Sequence, residues 1–281
     1  MTSDSTTLPG PISVLMAVYG RDDPAHLAQA VGSIYGQTLS PSEVVIVIDG
    51  PIRPELEAAI RGLPQDPPTK IVRIAVNSGL GPALSRGLLH CEHELVARMD
   101  ADDICVPNRL EIQALQFSSD PGLDILGGSV SEFEVSPDRP SAIRRSPLTH
   151  KDIVFWGRLR CPFNHPTVMY KKSAVLRAGG YSSSFCGIED YELWGRLILS
   201  GARCGNVDDV LVHARIGGGM LNRRRGAFYA RQELRLACHL FKIGFLSTWQ
   251  FLVWVLGRVP LRLLPPGILS RVYRLMRTKS P

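Results

Sequence analysis

Apolar runs and helically spaced apolar positions alternate along the first half of the chain. Ile12–Val18 is an apolar run, the signature of a strand buried on both faces. Ala25–Tyr35 follows, with Leu27, Ala30, Val31 and Ile34 on one helical stripe. Glu43–Ile48 is a second, β-branched strand closed by Asp49-Gly50-Pro51, and Pro54–Leu63 suits a helix with proline in its first turn. Lys70–Val76 predicts a third strand, Gly81–His90 a helix, Leu95–Met99 a fourth strand and Pro107–Phe117 another helix. Strands alternating with helices imply βαβ units, a parallel sheet and an α/β fold. Ligands of such sheets sit beyond the carboxyl ends of the strands. That directs attention to Ala17–Arg21, Asp49-Gly50 and Asp100–Asp103.

The second half is less regular. Asp124–Val135 predicts one or two strands, Lys151–Gly157 a helix, Pro166–Tyr170 a short strand, and Ser173–Ala178 a helix stopped by Gly179-Gly180. Glu189–Ser200 reads as a helix with a stripe of Leu193, Leu197 and Ile198, and Val207–Val212 as a late strand. Beyond Ala227 the character changes. Ile243–Gly257 carries no charge, contains Trp249, Phe251 and Trp254, and is flanked by Lys242 and Arg258. It falls short of the roughly twenty residues that span a bilayer. A basic, aromatic, apolar segment of this kind predicts a helix lying in a membrane interface. Packing on the protein's own body is the alternative.

Composition and charge sharpen this picture. The chain has 281 residues, 44% hydrophobic and 21% charged, which suits one large α/β domain with an appendage and excludes a disordered polymer. Six cysteines (91, 105, 161, 186, 204, 238) are scattered without a C-x-x-C pair, so neither a zinc site nor a disulfide scaffold is expected. The polar start, Met1 to Pro11, lacks the basic and apolar stretches of a secretory signal, so a cytoplasmic location is expected. The net charge of +6 is unevenly spread: from Leu221 onward there are twelve Lys or Arg against one acid, Glu233. The expected organisation is therefore an α/β domain over residues 11–220 and a basic helical tail over 221–281. Such a tail suits an anionic partner, above all a membrane surface. A nucleic acid is not expected, because the aromatics sit inside the apolar run rather than among the basic residues.

Several polar clusters carry candidate chemistry. Asp100-Ala101-Asp102 directly follows an apolar strand. Two carboxylates one residue apart can share a divalent cation, and oxygen ligands suit Mg²⁺ or Mn²⁺ with phosphate oxygens and water in the other positions. The plain alternative is an acidic turn or the N-cap of a helix starting near Val106. Asp49 can accept hydrogen bonds from a nucleobase or a ribose, or simply form the turn before Gly50-Pro51. Glu189-Asp190 opens a helix, where acids complement the dipole; a carboxylate there can also act as general base toward a hydroxyl. His165, within Asn164-His165-Pro166, is a binding or a structural histidine, and Arg223-Arg224-Arg225 suits a pyrophosphate or a lipid headgroup as well as plain solvation.

Taken in order, these segments resemble the family 2 glycosyltransferases, whose fold is of the GT-A type. The resemblance rests on Ile12–Tyr19, Glu43–Asp49, Asn77-Ser78-Gly79 with Ala83, Leu84 and Gly87, Ala97–Asp103, Asn164–Val168, Gly179-Gly180-Tyr181 and Glu189–Trp194, and covers residues 11 to 215. It implies a Rossmann-like, mostly parallel sheet flanked by helices, and inverting single-displacement transfer of a sugar from a nucleotide-sugar donor, UDP by default. It further implies Asp190 as base, Asp102 as direct ligand of Mn²⁺ or Mg²⁺, Asp100 on the ribose or the metal shell, Asp49 on the nucleobase and Tyr19 beside it. Arg98, His165, Glu189 and Trp194 lie in matching motifs and are carried over as substrate contacts, as is Ser85, which stands where the family often has asparagine. Ile48 replaces a frequent aspartate. The Q-x-x-R-W motif and multiple spans of processive synthases are missing, so the resemblance is to single-addition enzymes that build bacterial surface polysaccharides on lipid-linked acceptors. That places the protein at the inner face of the cell membrane. The rival readings are a sugar nucleotidyltransferase, which lacks its glycine- and arginine-rich loop here, and an inactive scaffold.

Overall fold

The structure, a computed structural model, describes residues 10–217 and 226–263. Arg223-Arg224-Arg225 and the expected boundary at residues 220/221 lie outside the described residues.

The first half folds as its periodicity predicts: β1 (Ile12–Tyr19), α1 (Pro24–Tyr35), β2 (Glu43–Asp49), α2 (Pro54–Arg61), β3 (Thr69–Ile74), α3 (Leu80–His90) and β4 (Leu95–Met99). The order β3-β2-β1-β4 is all parallel. Side chains alternate across it. Val14, Met16 and Val18 of β1, with Val44, Ile46 and Ile48 of β2, pack under Leu27, Ala30, Val31 and Ile34 of α1. Leu15, Val45 and Val47 face the other way, under Ala83, Leu84 and Leu88 of α3. α3 lies so close to the sheet that a Cβ on Gly87 would stand 2.5 Å from both Leu15 Cδ1 and Val47 Cγ2.

The second half adds β5 (Ile104–Cys105), α4 (Arg109–Ser119), β6 (Ile125–Phe133), β7 (Ala142–Arg144), α5 (His150–Gly157), β8 (Met169–Lys171), α6 (Lys172–Arg177), α7 (Glu189–Leu199) and β9 (Cys204–Arg215). The sheet continues β4-β8-β6-β9-β5. β8 runs antiparallel to β4 and β6, β9 parallel to β6, and β5 antiparallel to β9. Three expectations change. Pro166–Tyr170 is a 3₁₀ turn (His165–Thr167) followed by β8. The helix expected from Pro107 starts at Arg109, with Asn108 at its N-cap, and β5 separates it from the acidic motif. Asp100 and Asp102 therefore do not cap it.

The extension comprises α8 (Ala227–Lys242), α9 (Thr248–Val253), a π turn (Trp254–Arg258) and α10 (Val259–Leu261). Ile243–Gly257 is thus not a single continuous helix. Gly244, at φ +81°, reverses the chain, and Ser247 with Gln250 forms a capping box that restarts it. Trp254 is fully buried with Leu236, Leu240 and Phe245 against Phe185, Ile188 and Tyr191 of the body. Two basic residues counted toward an anionic partner are used internally: Arg258 and Arg262 both donate to buried Glu233. Among the described residues, no helix is long and apolar enough to cross a membrane.

Candidate active site

A cavity of about 310 Å³ opens at the carboxyl ends of β1, β2 and β4, the place the parallel topology dictates. Its walls include Tyr19, Asp22, Asp49, Asn77, Asp100 and Asp102. Tyr19 is half-exposed at its edge.

Asp49 is buried and holds the loop that starts α3. Its Oδ1 accepts from the Ser78 backbone N–H at 2.8 Å and from the Ser78 hydroxyl at 2.9 Å, and its Oδ2 accepts from the Gly79 N–H at 2.8 Å. Asn77 donates to the Asp49 carbonyl at 3.0 Å. Gly50, at φ +84°, is required here, because a Cβ would lie 2.6 Å from the Asn77 nitrogen. The Asp49 carboxylate thus anchors the Ser78-Gly79 loop from within the cavity wall, and its three accepted hydrogen bonds leave about one lone-pair site open.

Asp100 pairs with Arg98, whose side chain is only 1% exposed and whose Nε and Nη1 find no partner among the described residues. Arg109 of α4 fixes this strand end by donating to the Arg98 carbonyl at 2.7 Å. Burial raises the Asp102 carboxyl above its usual range, Asp100 adds to the rise, and Arg98 opposes it. Asp103 is raised well above it for the same reasons, although it accepts the Arg215 backbone N–H at 2.9 Å. Asp22 is pushed up to about 7, by burial first and then by the charges of Asp102 and Asp100. Its Oδ2 accepts the Tyr19 N–H at 2.9 Å.

This crowd of carboxylates fits a hard divalent cation, which would relieve their mutual repulsion. The fit is incomplete by itself: among the described residues no group of three or more His, Cys, Asp or Glu is arranged to hold an ion. Asp100 and Asp102 supply carboxylate oxygens, and a diphosphate would have to complete the shell.

Glu189 and Asp190 open α7. Glu189 is buried, and burial followed by the Asp190 charge lifts it to about 7, with Arg98 opposing. One guanidinium therefore acts on both acidic motifs. The start of α3 abuts this turn, where a Cβ on Gly81 would lie 3.2 Å from Glu189 Cβ. Asp190 Oδ1 accepts the Tyr191 N–H at 2.8 Å, and the Cys161 thiol lies 3.9 Å from Oδ2.

Five expected substrate contacts, Arg98, Glu189, Trp194, His165 and Ser85, are absent from the cavity wall. Trp194 is fully buried, edge-on to Phe163 and His165. His165 hydrogen-bonds the Tyr181 hydroxyl at 3.0 Å, and burial drives its pKa well below the usual value, so it is a neutral core residue. Ser85 faces Gly180 and is absent from the cavity wall. Sequence reasoning missed Asp22, Arg109 and Arg215. Only Asp22 had a signal, since it lies in the loop after β1 that topology singles out.

Comparison with known proteins now decides the family. The family described as "Glycosyl transferase family 2" matches residues 13–179. The chain belongs to glycosyl transferase family 2. The chain is 38% identical to the amylovoran biosynthesis glycosyltransferase AmsE of Erwinia amylovora, over 93% of this chain and 97% of that one. It is 36% identical to the UDP-Gal:alpha-D-GlcNAc-diphosphoundecaprenol beta-1,3-galactosyltransferase of Escherichia coli, over 93% and 94%. Among solved structures, the mannosyltransferase PcManGT from Pyrobaculum calidifontis, in complex with GDP-Man and Mn²⁺, superposes with a TM-score of 0.64 at 16% identity, covering 98% of this chain and 83% of that one. That likeness shows the shared GT-A-type fold. The protein is thus a family 2 glycosyltransferase related to enzymes of lipid-linked polysaccharide assembly.

Proposed function

We propose that this enzyme transfers one sugar from a UDP-sugar to a hydroxyl of a lipid-diphosphate-linked saccharide, with inversion at the anomeric carbon. The observation that carries the reading is the convergence of Asp49, Asp100 and Asp102 on one cavity at three parallel strand ends. The relative that acts on UDP-Gal and a diphosphoundecaprenol-linked sugar supports the choice of donor and acceptor class.

Asp49 and Tyr19 receive the nucleoside, and Asp100 and Asp102 face the diphosphate. A bound Mn²⁺ or Mg²⁺, held by Asp102 with Asp100, would neutralise charge gathering on the leaving diphosphate. Asp190 takes the proton from the acceptor hydroxyl as that oxygen attacks the anomeric carbon on the face opposite the departing UDP. Glu189 lines the acceptor side beside it. Arg98 acts through Asp100, and His165 and Trp194 act from behind, as core support for the start of α7.

The body (11–220) and the extension (221–281) divide this labour. On the extension, Trp249, Leu252 and Leu256 are exposed at i, i+3 and i+7, with Phe241 stacked on Phe251 nearby. Exposed Arg231, Arg235 and Lys242 lie on the preceding helix. Apolar anchors with basic neighbours suit an anionic lipid surface, where the acceptor's lipid resides.

The test is a transfer assay with UDP-hexoses and a short-chain GlcNAc-diphospholipid, read by mass spectrometry and anomeric proton coupling. Addition of one sugar with inverted configuration is expected; retained configuration contradicts the mechanism.

A further inference from the structure

The extension grips both chain segments that frame Asp190. On one side runs the segment leading to Cys161, whose thiol approaches Asp190. There the Trp254 indole N–H donates to the Arg158 carbonyl at 2.7 Å, and Arg258 Nη1 donates to the Leu159 carbonyl at 2.9 Å. On the other side runs the turn that starts α7. Gln232 reaches the Cys186 carbonyl at 3.4 Å, and His239 Nε2 lies 2.9 Å from Glu192 Oε1. Tyr191, the residue after Asp190, joins the two sides: its hydroxyl donates to the Gly157 carbonyl at 2.9 Å, and its ring packs 5.1 Å from that of Trp254.

Arg258 sits at the centre. Its guanidinium lies 4.2 Å from the Trp254 ring centroid and 5.4 Å from that of Tyr191, and Glu233 Oε1 fixes it at 3.1 Å. The Trp254–Arg258 segment is a π turn, a rare geometry enriched at functional sites. It brings both ends of the turn inward, onto the body, while Leu256 between them stays outside.

We propose that Trp254 and Arg258 of the extension are positioning residues for Asp190, so that the element presenting the apolar ridge also sets the geometry of the base. This rests on the reading of Asp190 as base. A base must sit within hydrogen-bond reach of the proton it takes, and a small misplacement costs up to about a hundredfold in rate. The donor cavity, built from β1, β2, β4 and α3, is lined by none of the described residues of the extension.

The test uses the full chain with Trp254→Phe, which keeps a ring and removes the N–H, and Arg258→Gln, each alone and combined with Asp190→Asn. UDP release from the fastest UDP-hexose gives kcat, and calorimetry gives the Kd of UDP with Mn²⁺. Expected are kcat losses of about tenfold or more, a UDP Kd within about twofold of wild type, and no further loss when either substitution is added to Asp190→Asn. Unchanged kcat overturns the proposal, as does a parallel fall in UDP affinity, or an equal fold-loss in the Asp190→Asn background. If Asp190→Asn alone keeps wild-type turnover, the base reading itself fails and takes the proposal with it.

Discussion

Arg98 and Asp100 form an ion pair in which the cation is buried and the carboxylate is one-third exposed in the cavity wall. The guanidinium holds down the proton affinities of Asp102, Asp103 and Glu189 as well. Without it those carboxyls would rise further. A carboxylate whose folded pKa exceeds its unfolded value costs stability as pH climbs from the unfolded through the folded pKa. Arg98→Met should therefore lower Tm more at pH 8 than at pH 5 in EDTA, by roughly 3 °C or more, the scale of about 1 kcal/mol in a chain of this size. Equal losses at both pH values would contradict the role given to Arg98.

Asp22 predicts the opposite sign. Burial pushes its carboxyl up to about 7 from the ordinary 3.8, so the folded state holds a proton that the unfolded state has lost between those values. Above pH 7 the buried charge is fully destabilising. Asp22→Asn should raise Tm at pH 8 by about 1–3 kcal/mol equivalent and leave it nearly unchanged at pH 4. Differential scanning calorimetry in EDTA reads both.

Gly87 tests the packing that carries the cavity. An alanine methyl would overlap Leu15 and Val47 at 2.5 Å, so Gly87→Ala should destabilise by about 1–3 kcal/mol. The measurement is chemical unfolding, and an unchanged midpoint would show that α3 sits farther from the sheet.

The ridge on the extension predicts lipid binding separable from folding. Trp249 and Leu256 are 68% and 74% exposed. Trp249→Ser with Leu256→Ser should leave Tm unchanged and weaken co-sedimentation with phosphatidylglycerol vesicles about tenfold or more, since each buried apolar side chain contributes about 1.5–3 kcal/mol. Vesicle binding equal to wild type would remove the ridge from that role.

Much of this was legible in the sequence, for definite reasons. The βαβ half declares itself because β1, β2 and β4 are buried on both faces, its helices are buried on one, and β3, at the sheet edge, is still a β-branched run. Acids at the ends of β2 and β4 stand out because burial makes them costly without a partner. The extension was harder to read: an uncharged run containing Trp249 and Trp254 does not reveal that one ring faces out and the other in, nor that Glu233 takes up Arg258 and Arg262. His165 and Trp194 sit in segments that resemble the family, yet both side chains are buried in the core, which their local sequence does not reveal. Arg109 and Arg215 hold the Arg98–Asp103 segment from the next helix and from β9, and neither leaves a local signal.

The most direct test of the central claim is calorimetric titration of UDP into the wild-type enzyme with Mn²⁺ and with EDTA, repeated for Asp102→Ala. Metal-dependent UDP binding that weakens by about 2–4 kcal/mol in Asp102→Ala is the predicted result. UDP affinity indifferent to both EDTA and the substitution would contradict the assignment of Asp100 and Asp102 to a cation–diphosphate site.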